Sequence, residues 1–338
     1  MRIHTVGIDI AKSVFHLVAL DEKGVVLAKK KFSRAQLLVF TANMKAYVIG
    51  MEACSGAHFL ARVLIAQGHE VRLMPAEYVR AYVKSNKNDF IDAEAIAESV
   101  LRLTMRYVPV KTDEQLDLQA LHRVRERWMQ RKVALINQVR GFLLERGITI
   151  RIGSDYLRKH LPAVMEDAEN ALSGRARAIL FALREEWEQL EQKIDTMTEE
   201  IGRIARSHDG CRRLMEIPGI GPIVSTALVA AIGNGTAFRR GRDLAAWLGL
   251  VPRQHSSGGK QKLLGISKRG NHYVRKLLVE GARAAFCRLN RSRHAFGPWM
   301  DQLEGKKHSN LAVVALANKL ARIAWAVLTT GQEYRAAA

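Results

Sequence analysis

A carboxylate set inside an apolar strand restricts a fold more than any other feature of this chain, and Gly7-Ile8-Asp9-Ile10-Ala11 is such a strand. An Asp left ionised and alone in an apolar interior is costly, so Asp9 needs a cation, a cage of hydrogen bonds or a chemical use. The flanking pattern supplies partners. Thr5 to Ile10, Val14 to Leu20 and Val25 to Phe32 read as three short strands, divided by the turn-like Lys12-Ser13 and Asp21-Glu22-Lys23-Gly24. Ala35 to Lys45 then reads as a helix and Ala46 to Ala53 as an apolar strand. Ala57 to Gln67 is a second helix stopped by Gly68, and Glu70 to Met74 a further strand. The order β-β-β-α-β-α-β is that of an RNase H-like domain. There the fourth strand lies parallel to the first and brings Glu52 beside Asp9.

Two further acids join them. Asp89, Asp92, Ile96, Val100 and Leu103 are spaced so that the aspartates lie on the stripe of a helix that carries its buried residues. Ser85 or Asn86 is a suitable cap for this helix, and acids in a first turn are favoured by the helix dipole, which is the plainer account of Asp89. Capping explains neither the stripe nor Asp92. A Gly-Ile-Asp strand also opens the actin-like ATPases, so Asp9 alone does not decide the chemistry; the four acids together do. Carboxylate oxygens suit Mg²⁺ or Mn²⁺.

Cys54, Cys211 and Cys287 are scattered, without C-x-x-C, zinc spacing or a disulfide framework, which points to a reduced intracellular protein. The amino terminus is broken by Asp9 and Lys12, and the longest apolar run, Ile223 to Ile232, is too short to span a bilayer, so no membrane partner and a cytoplasmic location are expected. Lys and Arg number 53 against 33 Asp and Glu, a net charge of +20. Such an excess seeks polyanions. With 338 residues, 48% of them hydrophobic, there is material for two domains with cores of their own. No acid falls between Asp243 and Glu280, whereas Arg253, Lys260, Lys262, Lys268, Arg269, Arg275 and Lys276 do, so one face of the second domain is expected to be strongly positive.

Gln115 to Arg146 has an amphipathic helical pattern. A Gly- and Pro-punctuated stretch, Gly147 to Pro162, follows, and a second long helix begins near Gly174. In it Leu180, Leu183, Trp187, Leu190, Ile194, Met197, Ile201 and Ile204 form a heptad seam, which reads as a coiled coil paired either within the chain or with another subunit. Next, Ile217-Pro218-Gly219-Ile220-Gly221-Pro222 resembles the hairpin of a helix-hairpin-helix motif. Such a turn offers backbone N–H groups to a DNA phosphate, with Gly219 and Gly221 as the contacts; an ordinary helix-helix turn has the same glycines. In Gly249-Leu250-Val251-Pro252-Arg253-Gln254-His255-Ser256-Ser257-Gly258-Gly259-Lys260, a serine among cations is a possible nucleophile toward a phosphodiester, with His255 as a nearby base. Taken alone, Ser-Ser-Gly-Gly is more simply a loop.

Gly7-Ile8-Asp9 with Lys12, Glu52-Ala53-Cys54-Ser55-Gly56, Lys87-Asn88-Asp89-Phe90-Ile91-Asp92-Ala93, the Pro-Gly-Ile-Gly-Pro hairpin, and the blocks from Gly249 to Arg253 and from Lys268 to Asn271 occur in the order found in the insertion-sequence-one-hundred-ten family of transposases. The chain resembles that family over nearly its whole length, departing at Asn88, where Thr is common. The resemblance implies a RuvC-like domain with a D-E-D-D tetrad, a coiled coil, and a C-terminal transposase domain with a catalytic serine. It further implies guidance by a bridge RNA, a 5′-phosphoserine intermediate and a multimer, dimer to tetramer, in which different subunits donate the metal and serine sites. It assigns Asp9, Glu52, Asp89 and Asp92 to the metal and Ser257 to the nucleophile, with Ser256 as the fallback.

The expected architecture is therefore α/β plus all-α. It comprises an RNase H-like (RuvC-like) catalytic domain over 1–110, a helical coiled-coil region over 111–208, and a helical C-terminal domain with the helix-hairpin-helix-like segment over 209–338. The expected function is a DNA transposase of an insertion sequence acting on element ends and target DNA in the bacterial cytoplasm, at the nucleoid. A RuvC-like nuclease that uses water as nucleophile is the enzymatic alternative, and an architectural DNA-binding protein the non-enzymatic one.

Overall fold

A computed structural model of the chain describes residues 2–83, 88–294, 296–306 and 308–335. It divides into two compact units, Met1–Asp113 and Glu114–Ala338.

In the first unit, β1 (Thr5–Ile10), β2 (Val14–Leu20), β3 (Val26–Ser33), β4 (Val48–Glu52) and β5 (Glu70–Met74) form one sheet of order β3-β2-β1-β4-β5. β1 pairs antiparallel with β2 and parallel with β4, which is in turn parallel to β5. Because alternate side chains point to opposite faces, Val6, Ile8, Leu17, Ile49 and Met51 pack against α1 (Arg34–Ala42) and α2 (Ala57–Ala66) through Leu37, Leu60, Ala61 and Leu64. Ser33 caps α1 reciprocally with Gln36. After the short helix α3 (Ala76–Val79), α4 (Asp89–Ser99) covers the other face, Ala93 and Ala97 meeting Val18 and Leu20. With both faces covered, the strands read as apolar runs.

Two glycines set how closely α4 lies. A Cβ on Gly7 would come within 2.1 Å of the Ala93 carbonyl oxygen, and one on Gly50, its partner across β1 and β4, within 2.9 Å of the Val100 Cβ. Helix backbone thus rests directly on strand backbone. Thr5 Oγ1 adds a hydrogen bond to the Ala97 carbonyl at 3.2 Å. The caps expected at Ser85 or Asn86 lie outside the described residues; Asn88 caps α4, its side chain accepting from Phe90 N at 2.9 Å. Of the expected stripe, Ile96 and Val100 are buried and Asp92 is half-buried, but Asp89 in the first turn is exposed, and Leu103 is fully exposed at 104% because the helix ends at Ser99.

The second unit opens with α5 (Asp113–Leu144), whose first residue is the last of the first unit, then α6 (Ser154–Glu166) and α7 (Gly174–Ser207). α6 begins within the Gly- and Pro-punctuated stretch and runs four residues past Pro162. Pro162 lies inside it, and buried Leu157 and Leu161 at helical spacing offset the hydrogen bond that proline forfeits. α5 and α7 run antiparallel, as Arg125 to Thr198, Arg131 to Glu186 and Lys132 to Glu191 require. The seam on α7 is closed inside the chain: Leu180, Trp187 and Leu190 share a core with Leu135, Ile136, Val139, Leu143, Leu157 and Leu161. Replacing Leu190 and Ile194 together by Lys is accordingly expected to unfold this unit, since each loses about 2–3 kcal/mol of burial before the cost of an interior charge is counted. The check is a thermal midpoint lowered by about 10 °C or more, measured with light scattering; a folded double variant of smaller assembly mass would reverse the assignment.

The remaining helices, α8 (Asp209–Met215), α9 (Pro222–Ile232), α10 (Gly241–Trp247), α11 (His272–Arg288), α12 (Gly297–Glu304) and α13 (Ser309–Thr330), enclose a second core around Leu228, Leu278, Leu316 and Leu320. Among the described residues α13 is the one helix long and apolar enough to cross a membrane, and half of its apolar window is buried in this core. A two-stranded ribbon, β6 (Pro252–Ser257) and β7 (Lys260–Ile266), projects from the unit with every residue from Pro252 to Gly265 exposed.

Candidate active site

Four acids fall toward one end of the first sheet for reasons visible in the backbone. Parallel pairing sets Ile8 opposite Met51, so Asp9 and Glu52 are the next residues along β1 and β4. Antiparallel pairing sets Asp9 opposite His16, on the same face. Because α4 crosses that face at Gly7, its first turn carries Asp89 and Asp92 toward Asp9. Both acids also lie where the helix dipole favours negative charge.

Electrostatics record the convergence. The Asp9 carboxyl is held above its ordinary range, first by burial, then by the charges of Asp92 and Asp89, against a smaller opposing effect of His16. The Cys54 thiol is pushed up by burial and then by Glu52 and Asp9, which puts these two acids around one point. By donor chemistry alone these carboxylate oxygens suit a hard divalent cation. The arrangement is open: among the described residues no three acidic, His or Cys side chains are close enough to enclose an ion.

The candidate nucleophile lies in the second unit. Ser257 ends β6, and Gly258 and Gly259, with φ of 55° and 75°, turn the chain into β7. This two-residue turn with positive φ at both positions makes a hairpin of the stretch that sequence alone reads as a loop. The register pairs His255 with Lys262, Ser256 with Gln261 and Ser257 with Lys260. Alternation therefore puts His255, Ser257, Lys260 and Lys262 on one face. Ser256 is on the other, accepting a hydrogen bond from Gln254 Nε2 at 2.8 Å.

Of the expected DNA contacts, Arg253, Lys260, Lys262, Lys268 and Arg269 are exposed. Arg275 is not. It is buried at 8% exposure and donates to the carbonyls of Leu248 at 2.9 Å and Arg269 at 2.7 Å, so it fastens the loop below the ribbon rather than facing solvent. Lys276 is likewise paired, with Glu126 at 2.8 Å. Gly249 and Gly270 complete the fastening, since a Cβ on either would strike backbone of Arg269 or Trp247. Lys268 accepts a left-handed backbone at φ 55°, a strain held by its N–H to the Gly249 carbonyl.

At the glycine-rich turn, Gly219 has φ 90° and lies against Gly281 of α11, each glycine leaving room for the other's backbone; Gly221, before Pro222 at the start of α9, has open space on its Cβ side. Gly219 is thus accounted for by packing, and Gly221 is the accessible one. Sequence reading also passed over a buried polar junction of His122, Thr226 and Tyr273. His122 contacts Thr226 Oγ1 and the Tyr273 hydroxyl at 3.0 Å each, and burial lowers its pKa to about 4, so it is neutral. It ties α5 to α9 and α11, and an isolated His gives no signal for it.

A five-stranded sheet in this order, with acids at one end, is consistent with an RNase H-like frame, and the chain joins it to a basic helical unit. Two family profiles match: the DEDD transposase of IS110 type over residues 6–147 and the transposase IS116/IS110/IS902 family over residues 211–297. The chain is 41% identical over 336 residues to the transposase for insertion sequence element IS1111A of Coxiella burnetii, covering 99% of this chain and 92% of that protein. It is 41% identical to the transposase for insertion sequence element IS1328 of Yersinia enterocolitica, covering 96% and 97%. A pilin gene-inverting protein of Moraxella bovis is 27% identical over 284 residues, 81% of this chain and 77% of that one. The chain belongs to the IS110 family of insertion-sequence transposases, enzymes of DNA recombination whose DEDD domain requires a divalent metal.

Proposed function

We propose that this transposase cuts and rejoins DNA through Ser257, with Mg²⁺ or Mn²⁺ held by Asp9, Glu52, Asp89 and Asp92. The observation that carries the proposal is the ribbon. Ser257 stands exposed on a cationic face with His255, Lys260 and Lys262, while Ser256 is turned away and engaged by Gln254. A phosphodiester laid on that face meets two ammonium groups that offset the charge gained as the serine oxygen adds to phosphorus. The Ser257 hydroxyl proton passes to a base, for which His255 is on the same face; the Oγ–P bond forms as the P–O3′ bond breaks, leaving a 5′-phosphoserine and a 3′-hydroxyl. The reverse step rejoins strands without ATP. The metal, when bound, supplies Lewis-acid stabilisation of phosphoryl oxygen charge.

Lys268, Arg269, Arg253 and the N-terminal end of α9 at Gly221 extend the contact to flanking phosphates. Guidance by a bridge RNA and a multimer in which one subunit's acids serve another's serine complete the proposal, with action at the bacterial nucleoid. The two-stranded ribbon has no core over it, and such hairpins are marginal in water alone, so bound nucleic acid is what orders it. The test is covalent trapping: wild-type protein with end-labelled element DNA, its RNA and Mg²⁺ should give a labelled band that survives denaturation and disappears with protease. Cleavage without that band assigns the reaction to metal-activated water.

A further inference from the structure

His16 is the buried polar group that the tetrad does not explain. Its side chain is 8% exposed, its Nδ1 is enclosed and without a hydrogen-bond partner, and it sits between Asp9, directly across the β1–β2 ladder, and Asp89 in the first turn of α4. Orphaned buried nitrogens are uncommon, because each forfeits the hydration it had in the unfolded chain. One acidic contact is Asp89 Oδ2 at 3.6 Å, just past hydrogen-bond reach, with Asp9 its partner across the ladder. The ring is fixed by edge-on packing against Phe90, with centroids 4.7 Å apart at 77°. Asp89, by contrast, is 56% exposed, and among the described residues His16 is the one side chain paired with it. A rigid donor thus stands beside a carboxylate that its own helix leaves free to turn.

We propose that His16 is a positioning residue for Asp89: its enclosed Nδ1–H holds one carboxylate oxygen, so that the other is presented to a divalent cation shared with Asp9. This rests on the tetrad reading above. The strand-borne acid and the helix-borne acid are then bridged across a single ring, and the first turn of α4 is tied to the sheet at the point where Gly7 no longer does so. The interaction acts through Asp89 and not on DNA, so its loss weakens metal binding before any substrate is present.

The experiment is Mn²⁺ binding to the full chain without nucleic acid, followed by electron paramagnetic resonance of the free ion, on variants first shown to melt cooperatively. His16→Phe keeps the ring packing and removes the donor; it should raise the Mn²⁺ Kd about 10-fold, the usual size for loss of an outer hydrogen bond to a ligand. His16→Asn places an amide N–H near the Nδ1 position and should stay within about 3-fold of wild type, whereas His16→Gln, with its amide one carbon further out, should not. Adding His16→Phe to Asp89→Asn should cost nothing beyond Asp89→Asn alone. Unchanged affinity in His16→Phe, or additive losses in the double variant, overturns the positioning role. Asp9→Asn is the control: if it too leaves Mn²⁺ affinity unaltered the tetrad reading falls, and if it weakens binding while His16→Phe does not, the proposal for His16 alone falls. Should His16→Phe fail to fold, the Asn and Gln pair carries the test, and equal losses in both overturn it.

Discussion

Ser257→Ala abolishes both the covalent protein–DNA band and recombination, by at least about a thousandfold, as removal of a nucleophile does elsewhere. Ser256→Ala retains a substantial part of each. The asymmetry follows from the ribbon: neighbouring residues of a strand face opposite ways, and only Ser257 shares its side with His255, Lys260 and Lys262. Neither change touches a buried side chain, so melting curves should superimpose on that of the wild type. Measurement is by denaturing gel of labelled DNA and by counting joined products. Retention in Ser257→Ala with loss in Ser256→Ala moves the nucleophile by one residue and reverses the face that binds DNA.

Asp9→Asn should separate activity from stability in opposite directions. Loss of one anionic ligand removes several kcal/mol of transition-state stabilisation, about a thousandfold in strand cleavage, while the basic surface keeps its grip on DNA. In metal-free protein the same change should raise the thermal midpoint near neutral pH. The sign follows from linkage. The Asp9 carboxyl is held above its unfolded value by burial and by Asp92 and Asp89, so its contribution is fully present below the unfolded pKa and is lost as pH rises through the folded one. Asn has no proton to lose and escapes that loss. Calorimetry with chelator, beside a cleavage assay in Mg²⁺, reads both effects; a lower midpoint in Asp9→Asn would show that the acids are not crowded.

Much of this was legible because period and punctuation agree in the first unit. Strand β5 falls on the expected residues, β4 is parallel to β1 as the element order requires, and Gly68 follows the end of α2 where its chemistry suits. What escaped was whatever depends on long-range contact. Gly7 and Gly50 carry no spacing signal, yet they decide how near α4 approaches. Arg275 counts as a surface charge until two carbonyls from distant turns enclose it. Leu103 continued an ideal periodicity beyond a helix that stops at Ser99, and Pro162 disguised α6 because burial on two leucines outweighed the missing donor. His16 is ordinary in sequence and becomes informative once its register partner is known to be Asp9.

The exposed ribbon separates two kinds of constraint that are mixed elsewhere in the molecule. Residues in the two cores answer to packing whatever else they do, so a change there cannot be assigned to recognition without first excluding misfolding. From Pro252 to Gly265 no side chain is buried, and the turn asks of the chain little more than its two glycines. A library of variants across this stretch therefore reads chemistry and nucleic-acid preference almost free of folding effects. Altered target choice would be sought there first, at little risk to the fold that carries it.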